Sequence, residues 1–229
     1  MPIDPSIIAQ RRREQLARLQ PVKQQHRQRA DDLAAVRYGG GNQKVRERIE
    51  ENGITRSHSF DLFVTPDPLT LRMVLMAKIK PGMDVLEPEA GTGRIAKAIR
   101  AAGVEPVCVE FAWDTFNHLQ KQGFNVTQAD FLTWVTKQRF DVILMNPPFS
   151  NLADVDHVLR AFSLLKAGGI LVAIMGAGAL NQQGKKAKAF RAWLKGNHGK
   201  SEVLPKDTFK ESGTGVNAFL VTIRKGKKI

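Results

Sequence analysis

The segment Asn146-Pro147-Pro148-Phe149 contains residue types that could act on an amino group. It follows an apolar run, and two prolines cannot continue a β-ladder, so we expect the chain to turn out of a sheet here. The Asn146 side-chain oxygen and the Pro147 carbonyl then provide two acceptors, one for each N–H of an exocyclic amino group. The prolines hold that carbonyl rigid, and Phe149 can stack on the attached ring. The spacing therefore predicts a catalytic loop that directs the nitrogen lone pair at an electrophile without a strong base.

A second group of residues, Glu87-Pro88-Glu89-Ala90-Gly91-Thr92-Gly93, ends an earlier apolar run. Glycines at a strand-to-helix turn let the backbone approach a ligand closely, which makes Ala90, Gly91, Thr92 and Gly93 candidate cofactor contacts. Glu110 ends the next apolar run, where an acid can accept hydrogen bonds from ribose hydroxyls.

Two cofactors fit this loop. Gly91-x-Gly93-x-x-Ala96 satisfies the dinucleotide fingerprint and therefore permits NAD. S-adenosylmethionine (SAM) has a positive sulfonium and a positive ammonium and no pyrophosphate, so the Glu87 carboxylate would attract SAM and repel NAD. The loop favours SAM over NAD, and close packing of a helix on a strand is the alternative that involves no cofactor.

Asp130 and Phe131 follow a third predicted strand. An acid at this position can accept the amino group of adenine, and an aromatic ring can flank the adenine face. Asp130 could equally cap a turn, and Phe131 could equally belong to the core. We predict both as cofactor contacts, with these two structural alternatives open.

Strands and helices alternate between these motifs. Predicted strands cover 83–87, 106–110, 125–130, 140–146, 169–175, 201–204 and 218–224, and predicted helices cover 69–79, 93–102, 113–122, 154–165 and 186–194. Continuous apolar strands that alternate with helices are typical of a parallel sheet covered on both faces. The fold class is therefore α/β, with a mostly parallel Rossmann-like sheet.

Basic residues are concentrated at both ends of the chain. The formal net charge is +13 over 229 residues, and residues 182–229 contain 12 Lys and Arg against 3 Asp and Glu. This excess favours nucleic acid as a partner. Lys185, Lys186 and Lys188 are predicted to contact phosphates beside the site, the alternative being a solvated helix face.

Residues 1–41 are predicted to form a basic helical arm with a glycine linker at its end, and residues 42–229 the domain that contains the motifs. The single cysteine, Cys108, permits no internal disulfide, and neither cysteines nor histidines have metal-ligand spacing. No apolar run has the length of a signal peptide or a membrane span. We therefore expect no metal, no membrane association and a cytoplasmic location.

The glycine loop and Asn146-Pro147-Pro148-Phe149 together resemble the SAM-binding and catalytic motifs of class I SAM-dependent methyltransferases that act on amino groups. The segment Phe63-Val64-Thr65-Pro66-Asp67-Pro68 is similar to the one that precedes the first strand in gamma-class adenine-N6 DNA methyltransferases, and the order of the three segments matches that class. The resemblance covers roughly residues 58–225 and includes small methyltransferases of phages and mobile elements.

The resemblance implies SAM as the cofactor and assigns roles to further residues. Glu110 becomes the ribose ligand and Thr65 a ligand of the methionine end of SAM. Phe209 lies where family members have an aromatic residue that stacks on a flipped base, although a core position would explain it equally well. The implied activity is methylation of adenine N6 in DNA, with RNA adenine N6 or guanine N2 as the alternative.

The sequence departs from the family's pattern in two respects. Family members usually have a small residue at the position of Glu89, so we expect an additional acid near the cofactor. No long insert is present to serve as a target-recognition domain, so we expect binding with low sequence specificity.

Other functions differ in how well they explain these motifs. Methylation of a protein glutamine and a non-catalytic nucleic-acid-binding relative both stay open, and a Rossmann oxidoreductase leaves Asn-Pro-Pro-Phe unexplained. Cytosine-C5 methylation needs a cysteine nucleophile. The single cysteine, Cys108, lies between Val107 and Val109 inside a predicted strand and is expected to be a core residue, so this reaction is excluded.

Overall fold

The computed structural model describes residues 64–206, 208–209 and 217–226. The predicted basic arm and linker at 1–41 lie outside the described residues. Within the described ranges the strands are β1 (Val85–Pro88), β2 (Val107–Glu110), β3 (Asn125–Gln128), β4 (Phe140–Met145), β5 (Leu165–Gly176), β6 (Lys200–Val203) and β7 (Ala218–Arg224). The α-helices are α1 (Asp67–Ala77), α2 (Arg94–Ala101), α3 (Trp113–Lys121), α4 (Ala153–Leu164), α5 (Ala177–Asn181) and α6 (Lys185–Gly196), and a 3₁₀ helix covers Ser150–Leu152.

The strands form one sheet in the order β3-β2-β1-β4-β5-β7-β6. The first five strands pair in parallel, and β7 is antiparallel to both β5 and β6. The mostly parallel Rossmann-like sheet predicted from the sequence is confirmed. The chain runs from β1 outward to β3 and then returns to β4, so the boundary between β1 and β4 is the topological switch point where open α/β sheets bind ligands.

The core lies on both faces of the sheet. Along β4, Val142 and Leu144 belong to one buried cluster, and Ile143 and Met145 belong to another, because successive side chains of a strand point to opposite faces. Helices α1 and α2 pack on the first cluster, and α4 and α6 pack on the second. Two covered faces explain why β4 is an unbroken apolar run in the sequence.

Most predicted elements differ from the observed ones by one or two residues at an end, and two strands and one helix differ for reasons that the structure shows. The strand predicted over 125–130 ends at Gln128, because the Asp130 carbonyl accepts hydrogen bonds from the backbone N–H groups of Thr133 and Trp134 and so starts a turn. The strand predicted over 169–175 begins at Leu165. Helix α5 was not indicated by the sequence pattern, because its 5 residues are too few to show helical periodicity.

Candidate active site

The two motifs lie side by side at the carboxyl edge of the sheet. Val85 pairs with Val142 and Leu86 pairs with Ile143 in the parallel ladder between β1 and β4. The glycine loop leaves the end of β1, and the Asn-Pro-Pro-Phe loop leaves the end of β4. The sequence therefore folds so that both loops leave the same edge of the sheet from neighbouring strands.

The glycine loop closes a tight turn between β1 and α2. The Ala90 N–H donates to the Val109 carbonyl of β2 at 3.0 Å, and the Gly93 N–H donates to the Ala90 carbonyl at 2.8 Å. Gly93 has φ +79°, and a Cβ atom built on it would lie 2.8 Å from Leu119 Cδ2 of α3. Packing alone therefore explains the glycine at position 93. The assignment of a cofactor to this loop depends instead on the acidic residues beside it.

Glu110 joins the ends of β1 and β2. Its Oε2 accepts a hydrogen bond from the Gly91 N–H at 2.7 Å, and its Oε1 accepts one from the Ala112 N–H at 2.8 Å. Burial raises the pKa of this carboxyl, and the two N–H donors partly offset the rise. A carboxylate oxygen accepts more than one hydrogen bond, so the predicted contact with ribose hydroxyls is compatible with this geometry.

Glu87 is 2% exposed, and its Oε2 accepts no hydrogen bond from the described residues. Burial raises its pKa well above the usual value, the nearby Glu110 adds to the rise, and the Ala96 N–H opposes it. A buried carboxylate oxygen without a donor is costly unless a ligand provides one. The ammonium of SAM provides N–H donors and positive charge, whereas the pyrophosphate of NAD would be repelled, so the site fits SAM.

Asn146 is positioned by Thr65. The Asn146 Nδ2 donates to Thr65 Oγ1 at 3.1 Å, and Thr65 is 4% exposed. With Nδ2 directed at Thr65, the carbonyl oxygen of the Asn146 amide is directed away from it. Pro147 is buried, and Pro148 and Phe149 are partly exposed. The structure therefore brings Thr65, predicted as a cofactor ligand, into contact with the predicted catalytic loop.

Phe149 packs against the end of β5. A Cβ atom on Gly176 would lie 3.0 Å from both Cβ and Cγ of Phe149, so a side chain at this position would force the ring to shift. The Gly176 N–H donates to Asp154 Oδ2 at 2.9 Å, and the Val155 N–H donates to Asp154 Oδ1 at 3.0 Å. Burial raises the pKa of Asp154 to about 6. Sequence reasoning missed Asp154, whose only signal is an acid in the first turn of a helix.

Asp130 and Phe131 have structural partners. The Leu132 N–H donates to Asp130 Oδ1 at 3.0 Å, as expected of a turn residue. Phe131 is 2% exposed and packs within the cluster covered by α4, with its ring centroid 6.1 Å from that of His157. The cofactor roles of both residues stay predictions, and the burial of Phe131 weighs against a contact with the adenine face.

The predicted nucleic-acid contacts divide into two groups. Lys185 and Lys188 are exposed at the start of α6, and Lys186 Nζ forms an ion pair with Asp156 Oδ2 of α4 at 2.7 Å. Phe209 is 1% exposed and packs in the cluster covered by α1 and α2. The lysines thus lie beside the helix that follows the catalytic loop, while the base-stacking role of Phe209 stays a prediction that its burial does not favour.

Two general properties of the described residues bear on partners. Among them, no group of three or more His, Cys, Asp and Glu side chains is arranged to hold a metal ion. None of the helices in these ranges is both long enough and apolar enough to span a membrane.

The sheet order, the acidic glycine loop on β1 and the Asn-Pro-Pro-Phe loop after β4 define a class I SAM-dependent methyltransferase. The family model described as a methyltransferase domain matches residues 60–212, and the chain belongs to this family. Its cofactor is SAM. No curated protein matches the sequence significantly.

Solved structures share the fold at low sequence identity. A modification subunit of a putative type I restriction enzyme from Vibrio vulnificus is 18% identical, with a TM-score of 0.62 over 80% of this chain and 47% of that one. A putative class I SAM-dependent methyltransferase from Listeria monocytogenes is 16% identical, with a TM-score of 0.59 over 82% of this chain and 69% of that one. The 23S rRNA methyltransferase ErmE is 15% identical, with a TM-score of 0.56 over 72% of this chain and 70% of that one. The chain spans 44% to 47% of the length of the type I modification proteins that it matches.

Proposed function

We propose that the protein transfers the methyl group of SAM to an exocyclic amino nitrogen of a nucleic-acid base, with adenine N6 of DNA as the first candidate. The observation that carries the proposal is the Asn146 side chain, held by Thr65 at 3.1 Å beside the acidic glycine loop. An amide fixed in this orientation presents its oxygen as a hydrogen-bond acceptor for an amino group.

The residues of the catalytic loop orient the amino group for in-line attack. When bound, SAM would supply the methyl group at its positive sulfonium: the S–C bond would break as the N–C bond forms, and neutral S-adenosylhomocysteine would leave. The Asn146 oxygen and the Pro147 carbonyl accept the two N–H groups, so the nitrogen lone pair is directed at the methyl carbon. Methylation makes the nitrogen acidic, and its extra proton leaves to solvent, which is why no strong base is required. Phe149 packs against Gly176, and in this proposal its ring stacks on the ring of the base.

Charge and structural likeness favour a nucleic-acid substrate. Residues 182–229 contain 12 Lys and Arg against 3 Asp and Glu, and Lys185 and Lys188 are exposed at the start of α6, which Lys186 joins to α4 through Asp156. Similar structures include a type I modification subunit and a 23S rRNA methyltransferase, so DNA and RNA are both represented. DNA is the first candidate because the order of the Thr-Pro segment, the glycine loop and Asn-Pro-Pro-Phe resembles that of adenine-N6 DNA methyltransferases.

The test is mass spectrometry of nucleosides after incubation with SAM that has a deuterated methyl group. Single-stranded DNA, duplex DNA and RNA of mixed sequence are compared in parallel, with the Asn146→Ala variant as the control for contaminating activity. We expect labelled N6-methyl-2′-deoxyadenosine from DNA. Label found only in RNA would contradict DNA as the substrate and support the RNA alternative. Label in neither nucleic acid would contradict a nucleic-acid substrate.

A further inference from the structure

Glu89 lies inside the glycine loop and contacts the helix behind the catalytic loop. Its Oε1 is hydrogen-bonded to Nδ1 of His157, which lies on α4 and is 1% exposed. Burial lowers the pKa of His157, but the charge of Glu89 and the hydrogen bond to it outweigh this effect and raise the pKa above its usual value. The two side chains therefore form a partly buried hydrogen-bonded pair, an ion pair when His157 is protonated, that connects the end of β1 with α4.

The second oxygen of this carboxylate has no donor. Glu89 Oε2 is buried and accepts no hydrogen bond from the described residues, and the same is true of Glu87 Oε2. Glu87 lies in β1 and Glu89 follows two residues later, just after the strand, and the charge of Glu89 contributes to the raised pKa of Glu87. Two buried acceptor oxygens without donors on neighbouring acids are satisfied when a cationic donor group binds beside them.

The chemistry of SAM indicates which of its groups could donate hydrogen bonds to these two carboxylate oxygens. The sulfonium is positive but has no N–H, so it cannot donate to a carboxylate oxygen. The ribose hydroxyls are neutral, and their predicted partner is Glu110 at the end of β2. The ammonium of the methionine end is positive and has three N–H donors, which is enough for two carboxylate oxygens.

We infer that Glu89 is a cofactor-binding residue: its Oε2 and Glu87 Oε2 together accept hydrogen bonds from the ammonium of SAM, and His157 holds the Glu89 side chain in place. Glu89 has φ +59°, a left-handed backbone conformation that favours glycine, yet this residue has a charged side chain. The inference rests on the proposed function only in that SAM occupies this loop, and it does not depend on the identity of the methyl acceptor.

Isothermal titration calorimetry with three probes tests the inference on the full chain. SAM has both the ammonium and the sulfonium, S-adenosylhomocysteine has only the ammonium, and 5′-methylthioadenosine has neither. We expect Glu89→Gln to raise the Kd of SAM and of S-adenosylhomocysteine by about tenfold each, since a charge-assisted hydrogen bond is removed, and to change the Kd of 5′-methylthioadenosine by less than about twofold.

Other outcomes overturn the inference in distinguishable ways. Unchanged affinity for SAM would show that Glu89 does not bind it, and weaker binding of SAM alone would assign Glu89 to the sulfonium. Equal weakening of all three probes would indicate a structural role for the ion pair with His157. If the wild-type protein binds neither SAM nor S-adenosylhomocysteine, the cofactor site itself is wrong, and the inference falls with the proposed function.

Two further variants make the test independent of folding. Glu89→Gly suits the left-handed backbone and also removes the carboxylate, so it should reproduce the selective loss of SAM and S-adenosylhomocysteine affinity. Glu105→Gln removes an exposed carboxylate that pairs with Arg100, and it should leave the affinities for all three probes unchanged.

Discussion

Asn146 Nδ2 donates to Thr65 Oγ1 across 81 residues of sequence, so the segment that precedes the first strand holds the catalytic amide in place. We predict that Thr65→Val, which keeps the shape of the side chain and removes its hydroxyl, lowers kcat by about tenfold while the Kd of SAM changes little. Thr65→Ser should retain most of the activity. A large rise in the Kd of SAM would instead support the role of Thr65 as a ligand of the methionine end.

Asn146 itself is predicted to act on the transition state. Asn146→Ala should leave the binding of SAM nearly intact and remove on the order of 3 kcal/mol of transition-state stabilisation, similar to the loss of an oxyanion-hole donor. Single-turnover methylation and calorimetry measure the two effects separately. Asn125→Ala, on the edge strand β3, is the matched control. Near wild-type turnover in Asn146→Ala would contradict the catalytic assignment.

Gly176 should be required for the seating of Phe149. In Gly176→Ala the new methyl group would lie 3.0 Å from Cβ and Cγ of Phe149, so the ring must move and the catalytic loop with it. We expect a loss of roughly 1–3 kcal/mol of stability and a lower kcat. Gly196→Ala introduces the same methyl group into open space at the end of α6, and its activity should be that of the wild type. Equal behaviour of the two variants in thermal unfolding and in turnover would refute this packing role.

The raised pKa of Glu87 predicts that SAM binding releases a proton. In the free protein, burial holds this carboxyl protonated to a higher pH than usual, and the cofactor ammonium favours the ionised form. The affinity for SAM should therefore rise with pH between the lower pKa of the complex and the raised pKa of the free protein. Calorimetry in buffers of different ionisation enthalpy measures the released proton. Glu87→Gln should abolish the buffer dependence, and an unchanged dependence in that variant would assign the proton to another group.

The lysines at the start of α6 should contribute unequally to nucleic-acid binding. Lys186 is paired with Asp156, so a phosphate must compete for it, whereas Lys185 and Lys188 are exposed. Replacing Lys185 and Lys188 by Gln should weaken binding uniformly across sequences and reduce the slope of log K against log salt by about 0.7–0.9 for each phosphate that is no longer neutralised. Lys186→Gln alone should have a smaller effect. An unchanged slope when all three lysines are replaced by Gln would assign the phosphate contacts to another surface, with Arg11, Arg12 and Arg13, which lie outside the described residues, as the next candidates.

Methylation itself should show little sequence preference. Binding mainly through phosphates carries no sequence information, and the base must leave the stack to reach Asn146. Flipping costs least in single-stranded or mismatched DNA, so these substrates should react at least as well as duplex DNA. Methylation mapping on mixed-sequence DNA measures this preference, and modified adenines confined to one short sequence would refute it.

The sequence predicted the sheet because alternation of apolar strands with helices is a local property. It also predicted that the ends of β1 and β4 would meet, because parallel strands align their carboxyl ends. It could not predict the contact between Glu89 and His157, which are 68 residues apart and meet only after α4 packs on the sheet. The sequence also could not decide the burial of Phe131 and Phe209. An aromatic residue in a loop segment has the same sequence signal whether it faces a ligand or the core.

The contact between Gly93 and Leu119 has a consequence for comparing related sequences. Any side chain at position 93 would collide with α3 whether or not a cofactor binds, so a descendant that had lost its activity would still be under selection to keep this glycine. Selection for stability would not keep Glu87, because its buried Oε2 accepts no hydrogen bond from the described residues and so destabilises the folded state. The acid is useful only while a cationic ligand is bound beside it. Loss of the acid with retention of the glycine would therefore mark a homologue that has become a pseudoenzyme.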